Sequence, residues 1–421
     1  MKFPRYFLFL AVLAISGCAP ANAVKSTATA HHQHQDQHHG GNDHHEKAIA
    51  CTSPSPTTQC SNTVTAEFTP SGTLWIAWVN DEHIYVQSST DKGQNFSAPV
   101  MVNAKPEKIA AKGENRPKLK FDNNGNMYVT WAWSLGKRHA GHIRFARSSD
   151  GGQSFSEPVT VNDNLDVIGH SFDSMAIGQN GEIFIAWLDS RDTEAAKKAG
   201  QKFDGSSLYY TWSKDGGKTF QPNKRIAAHV CQCCRLQTAI AKDNTPVILW
   251  RHIFDGSIRD HALVKFIDWQ TPGDMQRVGQ ENWKIDACPH HGAGLAISDN
   301  DTYHAVWFSN ADVKKGLFYA HSTDAGKHFS EPMNFGGDGA AHPYIQTLGQ
   351  QVAIVWQEFD GKNNTLQLIK SGDAGKTWSK PEAIAKTPEG VDTPFLVTDG
   401  KVIYVSWQVQ KQDYHLQKIN F

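Results

Sequence analysis

Seven short apolar runs, each closing on a tryptophan, punctuate an otherwise polar chain. The runs 74–78, 127–131, 183–187 and 246–250 end at Trp78, Trp131, Trp187 and Trp250, and three more end at Trp307, Trp356 and Trp407. The tryptophans recur 49 to 63 residues apart. Upstream of most runs lies a shorter strand-like segment with a Gly- or Asn-rich turn, as in 119–125 and 174–181. Downstream come a third strand, a tight turn and a fourth strand such as 158–161. A unit of this length and content predicts one four-stranded blade, and seven units predict an all-β propeller.

The turn between strands three and four carries a repeated phrase, S-x-D-x-G-x-x-[FW]. It occupies 89–96, 148–155, 213–220, 322–329 and 371–378. The Ser and Asp oxygens accept hydrogen bonds from turn N–H groups, and the Gly takes positive φ without steric cost. The final aromatic plugs the hairpin into a core. These octapeptides resemble the Asp-boxes of sialidase-like β-propellers, and the likeness runs over most of the chain. Units four and seven lack the box. Unit seven also reaches Phe421 after only its third strand, so its outer strand is expected from the N-terminal side, near 46–52, closing the ring. Sialidases have six blades, which makes a six-bladed ring the alternative count. The composition, with 34 Gly and 13 Trp in 421 residues, suits this reading, and the one helical pattern, 193–202, falls inside a loop. A net charge of −1 argues against a nucleic-acid binder, which needs a basic face.

The first residues read as an address. Lys2 and Arg5 precede the apolar run 6–15, and then comes Ile15-Ser16-Gly17-Cys18. This resembles a bacterial lipobox, in which the cysteine is lipidated after cleavage. An ordinary signal peptide cut near Ala21-Asn22-Ala23 is the alternative. The division expected is a signal peptide over 1–17, a lipidated disordered tether over 18–46 and the propeller over 47–421. The expected location is the cell envelope, on the periplasmic side of the outer membrane in a Gram-negative cell, with the membrane and an envelope protein as partners. The tether holds seven of the 21 histidines: His31, His32, His34, His38, His39, His44 and His45. Imidazole clusters of this kind capture Cu, Zn or Ni, the bland alternative being a solvated spacer.

If the Asp-boxes mark one face, the loops between strands two and three and those between blades mark the other. Nearly every unusual residue falls on that second face. Seven cysteines are present. Cys18 is assigned to lipid, and Cys51 and Cys60 flank a Ser/Pro/Thr loop that suits a disulfide in an oxidising compartment. Cys231, Cys233 and Cys234 enter blade four, and Cys288 enters blade five. Entries to adjacent blades are neighbours in space, so the four can meet. Two further disulfides are one reading, strained by three cysteines within four residues. A soft-metal site is the other. Cys231 and Cys233 share one side of an extended strand, with Cys288 and one of His229, His290 or His291 completing the set for Cu(I) or Zn. The His-rich tether tips the choice towards copper.

The resemblance to sialidases implies three arginines on a substrate carboxylate, a Tyr/Glu nucleophile and an Asp acid/base. In place of the family's Arg-Ile-Pro, this chain offers Asn115-Arg116-Pro117. Arg191, Arg235, Arg251 and Arg259 are further triad candidates. Tyr344 with Glu358 is a candidate nucleophile pair, and Asp173 or Asp260 a candidate acid. None stands in the family's sequence context. The alternative for the arginines is bracing by adjacent carboxylates, Asp192 beside Arg191 and Asp260 beside Arg259. The series Cys-x-Cys-Cys-Arg, Trp-Arg, Ile-Arg-Asp and Cys-Pro-x-x-Gly resembles a signature of a sialidase-like group of bacterial envelope proteins, a likeness that brings no activity with it. The expectation is therefore a membrane-anchored, non-catalytic propeller that binds a soft metal or a partner through blades four and five. A glycoside hydrolase and an interaction scaffold with structural disulfides are the alternatives.

Overall fold

The computed structural model describes residues 55–61, 63–137 and 140–421. Seven antiparallel sheets follow one another along the chain. Blade one holds Val64–Phe68, Leu74–Asn80, His83–Ser89 and Val100–Met101, hydrogen-bonded in that order. The later blades begin at Lys118–Phe121, His170–Ile177, Gln237–Ile240, Gly294–Ile297, Ala340–Leu348 and Phe395–Thr398. These first strands neighbour one another in a closed ring, the seventh lying beside the first. The ring is seven-bladed, not six-bladed as in sialidases. In blade four two short strands, Thr271–Pro272 and Gln276–Arg277, share the edge of His261–Asp268. Blade seven shows three strands among the described residues. The segment 46–52 expected to complete it lies outside them, as do Cys18, Cys51, the signal peptide and the His-rich tether. Within reach, Gln59 donates to Asp413 (3.1 Å) and Gln408 donates to the Thr58 carbonyl, so the described N-terminal segment approaches blade seven before entering blade one.

The helix expected over 193–202 is found at Arg191–Lys198. Asp192 and Glu194 in its first turn and Lys197 and Lys198 in its last complement the helix dipole, and Gly200, at φ 68°, ends it early. No helix among the described residues is long and apolar enough to cross a membrane.

The apolar interior is divided rather than central. Each of seven core clusters lies between two adjacent blades. Phe184, Leu188 and Tyr210 of blade three pack on Ile248, Trp250 and Phe266 of blade four. Val64 and Trp78 of blade one pack on Phe395, Tyr404 and Tyr414 of blade seven. The repeated tryptophans sit in these seams, and a buried indole N–H needs an acceptor. Trp131 donates to Glu107, Trp187 to Asp189, Trp307 to Glu281 and Trp356 to Glu358, at 2.7 to 3.1 Å.

The Asp-boxes close as their sequence demands. In each, the Ser hydroxyl donates to the Asp carboxylate (2.7–2.8 Å) and accepts from the Gly N–H (2.8–3.0 Å). The glycine also abuts a neighbouring blade. A Cβ on Gly375 of blade six would lie 1.9 Å from the Tyr319 hydroxyl of blade five.

Candidate functional site

The connection into blade four is built by main-chain pairing. Lys224–Val230 ends blade three, and Val230 bridges to His252. The Cys231 N–H then donates to the Arg251 carbonyl (3.0 Å). Residues 231–236 belong to no strand, which corrects the extended geometry expected there. Had they been extended, alternation would have sent Cys234 away from Cys231 and Cys233. The turn instead curls all three sulfurs together.

The connection into blade five is laid on top of the loop 252–260. Ile258 bridges to Lys284, the Arg259 N–H donates to the Trp283 carbonyl (2.8 Å) and the Ile285 N–H to the Ser257 carbonyl (3.2 Å). The Asp260 carboxylate fixes the turn, accepting from the Asn282 N–H (2.9 Å), the Trp283 N–H (3.3 Å) and the Arg277 guanidinium. Asp260 therefore serves Arg277 rather than its sequence neighbour Arg259. Likewise Arg191 pairs with Asp189 and Asp163, while Asp192 takes Arg225. Adjacent residues project in different directions, so neither expected brace forms.

These connections bring Cys288 against the trio. Cys231 Sγ lies 3.2 Å from Cys234 Sγ and 3.7 Å from Cys233 Sγ, and the three sulfurs fall within 4.8 Å of one another. They are the one such group of close metal-type donors among the described residues. Cys231, Cys233 and Cys234 are buried, and Cys288 is partly exposed. Cys288 packs against the trio, and its sulfur accepts from Gln232 Nε2 (3.5 Å). All four are free thiols. Cys60 is disulfide-bonded, whereas Cys51 lies outside the described residues.

The electrostatics favour a thiolate at the centre. Hydrogen bonds from Cys233 and Cys234 hold Cys231 well below the usual thiol range, helped by the cationic Arg251 and Arg259. Arg259 Nη1 reaches Cys231 Sγ at 3.4 Å. Cys233 is pushed up by donating to Cys231, and Cys234 by burial. Cys288 is lowered to about 7, first by the Cys233 hydrogen bond.

The histidines proposed to complete the set turn elsewhere. His229, at φ 55°, stacks on Phe203 (4.5 Å) and faces the Asp204 carbonyl through Nδ1. His290 is exposed. His291 stacks on Phe308 (4.1 Å) and lies 4.7 Å from the ring of His342. Burial lowers its pKa to about 3. His291 thereby joins a buried network around Glu114, which pairs with Arg235 (3.0 Å) and His342 (3.2 Å) and accepts from the Gly292 N–H (2.8 Å). A Cβ on Gly292 would lie 2.3 Å from that of Arg235, which is why glycine ends the Cys-Pro-x-x-Gly motif.

Each candidate arginine is held by partners within the protein, and Arg116 and Arg235 face one cavity. Arg116 is locked in a bidentate pair with buried Asp392 (2.6 and 2.8 Å), a partner 276 residues away that no local signal announces. Arg235 is taken by Glu114 and by the Ala293 and Pro343 carbonyls. Arg251 donates to the Arg259, His291 and Phe308 carbonyls. Arg259 serves Cys231 and the Ile285 carbonyl. Tyr344 lies under Arg235 (5.3 Å) and beside Phe395, whereas Glu358 engages Trp356, Gly337 and Gln367. Asp173 accepts from Thr130 (2.6 Å). A cavity of about 120 Å³ in the central channel is lined by Arg116, Lys118, Lys120, Arg235, Glu114 and Tyr344 among others.

No known family profile and no curated protein matches the chain. Solved structures share the fold. A Hadza microbial sialidase is 13% identical at a TM-score of 0.50, over 83% of this chain and 76% of that one. An ulvan lyase from a polysaccharide lyase family is 12% identical at 0.53, over 85% and 94%. A protein of unknown function from Dyadobacter fermentans is 14% identical at 0.52, over 75% and 96%. At such identities the likeness establishes one conclusion, that this chain shares a β-propeller architecture with a sialidase and a polysaccharide lyase.

Proposed function

We propose that this chain is a membrane-anchored, extracytoplasmic propeller that holds a soft metal, Cu(I) by preference, where blades four and five meet, and that it does not hydrolyse glycosides. One observation carries the reading: three buried cysteine sulfurs within 4.8 Å of one another. Metal–sulfur bonds of ~2.3 Å set sulfurs roughly 3.8 Å apart in a tetrahedral array and roughly 4.0 Å apart in a trigonal one, so separations of 3.2 and 3.7 Å must open by less than about 1 Å. A compact set of three sulfurs with the fourth set apart suits trigonal Cu(I) better than zinc, which takes four ligands. Three thiolates around Cu(I) leave net negative charge, and Arg259 and Arg251 beside Cys231 offset it.

Reduced, metal-free protein is titrated with Cu(I) against a chromophoric Cu(I) chelator. Tight uptake of one ion, lost in Cys233→Ser, is expected. A free-thiol count near zero in protein from an oxidising compartment, with no uptake, would instead support structural disulfides. The Cys-x-Cys-Cys-Arg motif supplies, on this reading, all three metal ligands, and the Cys-Pro-x-x-Gly motif lies beside them. The His-rich tether supplies weaker Cu(II), Zn or Ni sites, and Cys18 the lipid anchor. Cys18→Ala should release the protein from membranes, and deleting 24–46 should remove the weak sites while leaving the melting temperature unchanged. Against a sialidase stands the saturation of Arg116 and Arg235 by Asp392 and Glu114. Turnover of a fluorogenic sialoside by metal-free protein would overturn the non-catalytic assignment.

A further inference from the structure

We infer that Cys288 is the transfer ligand of this site: Cu(I) carried by an external thiolate binds Cys288 first, then passes to Cys233 and on to Cys231 and Cys234. The inference rests on the Cu(I) reading above and adds the route by which the site is loaded. Three observations support it. Exposure falls along the series, from partly exposed Cys288 to Cys233 at 7%, and then to Cys231 and Cys234 at 1% each. The Cys288 sulfur stands outside the compact trio, yet its side chain packs against it. The trio shares a single turn, whereas Cys288 sits in 286–290, a stretch outside every strand, steadied by the Gln232 amide at 3.5 Å. A ligand on a separate connection can swing between donor and trio while the trio keeps its geometry.

The step is ligand exchange without redox change. A new Cu–S bond forms to Cys288 as the bond to the incoming thiolate breaks. The Cys288 proton leaves on the departing thiol; at the handover Cys233 gives its proton back to Cys288, Cys234 releases its proton to solvent on binding, and copper stays Cu(I). Soft Cu(I) passes readily between sulfurs, so each handover needs only one neighbouring sulfur within reach. The same three bonds would hold the ion at the end whether or not Cys288 is present.

The test separates rate from affinity. Anaerobic stopped-flow mixing of reduced protein with the Cu(I)–glutathione complex follows the near-ultraviolet thiolate–copper absorption. Chelator competition then gives the equilibrium affinity. Cys288→Ser should slow loading by about tenfold or more and leave affinity within about threefold, whereas Cys233→Ser, which removes a direct ligand, should abolish tight uptake. Gln232→Ala, which keeps all four thiols, should slow loading to an intermediate degree, and unchanged melting temperatures would show that all three variants fold. Equal affinity losses in Cys288→Ser and Cys233→Ser would make Cys288 a resident ligand and overturn the inference. Loading of Cys288→Ser at the wild-type rate would overturn it equally. Failure of the unmutated protein to take up Cu(I) would bring down the metal reading itself.

Discussion

Single residues in the Asp-box show how much one turn depends on its hydrogen bonds. The Asn95 side chain leads the bonds that hold Asp91 at about 2. Ser154 does so for Asp150 and Thr377 for Asp373, both also at about 2. Each is depressed below the unfolded value of about 3.9, so its contribution is complete above that pH and is lost as pH falls through about 2. Melting temperature should therefore drop across roughly pH 4 to 2, and Asp150→Asn should flatten its share of that drop. The glycine can be tested against a control in the same motif. Gly375→Ala places a Cβ 1.9 Å from the Tyr319 hydroxyl at φ 83°, whereas Gly151→Ala, at φ 75°, meets nothing within 4 Å. Backbone strain alone costs about 1 kcal/mol, so chemical denaturation should show the first variant several-fold more damaging than the second. The turn chemistry was readable from the sequence because all its bonds are local. The role of its glycine at a blade seam was not, because the neighbour lies more than 50 residues away.

Elements meet through partners that sequence cannot pair. The entry to blade two is tied to the entry of blade seven by Arg116 and Asp392, 8% and 3% exposed at the side chain. Breaking such a pair leaves a buried charge alone, so Arg116→Met should cost about 3–5 kcal/mol in urea unfolding. Adding Asp392→Asn should recover part of the loss, as expected when the uncompensated charge does the damage. The candidate site shows the same division. The meeting of Cys288 with Cys231, Cys233 and Cys234 was legible, because entries to adjacent blades must be neighbours. The expected extended run was instead a turn, because main-chain pairing stops after Val230 and Cys231 meet His252 and Arg251, leaving residues 232–236 outside any strand. Arg259 drew notice as a carboxylate ligand, and its guanidinium lies on a sulfur instead. No spacing rule foretells that.

At the level of the whole molecule, the tryptophan period gave the blade count because each blade repeats one packing solution. The seven blades depart from the six of sialidases without disturbing any seam. Since every core is shared by two blades, no blade is finished alone. The last seam joins Val64 and Trp78 near the start of the described chain to Phe395, Tyr404 and Tyr414 near its end. A chain emerging from the ribosome at about 5–20 residues per second keeps its first blade's apolar face uncovered for roughly 20–70 s until its partner appears. The ring is thus a structure that cannot be completed in order of synthesis. A polypeptide halted before Tyr414 should be held by chaperones or lost to proteolysis, however many sound blades it already contains.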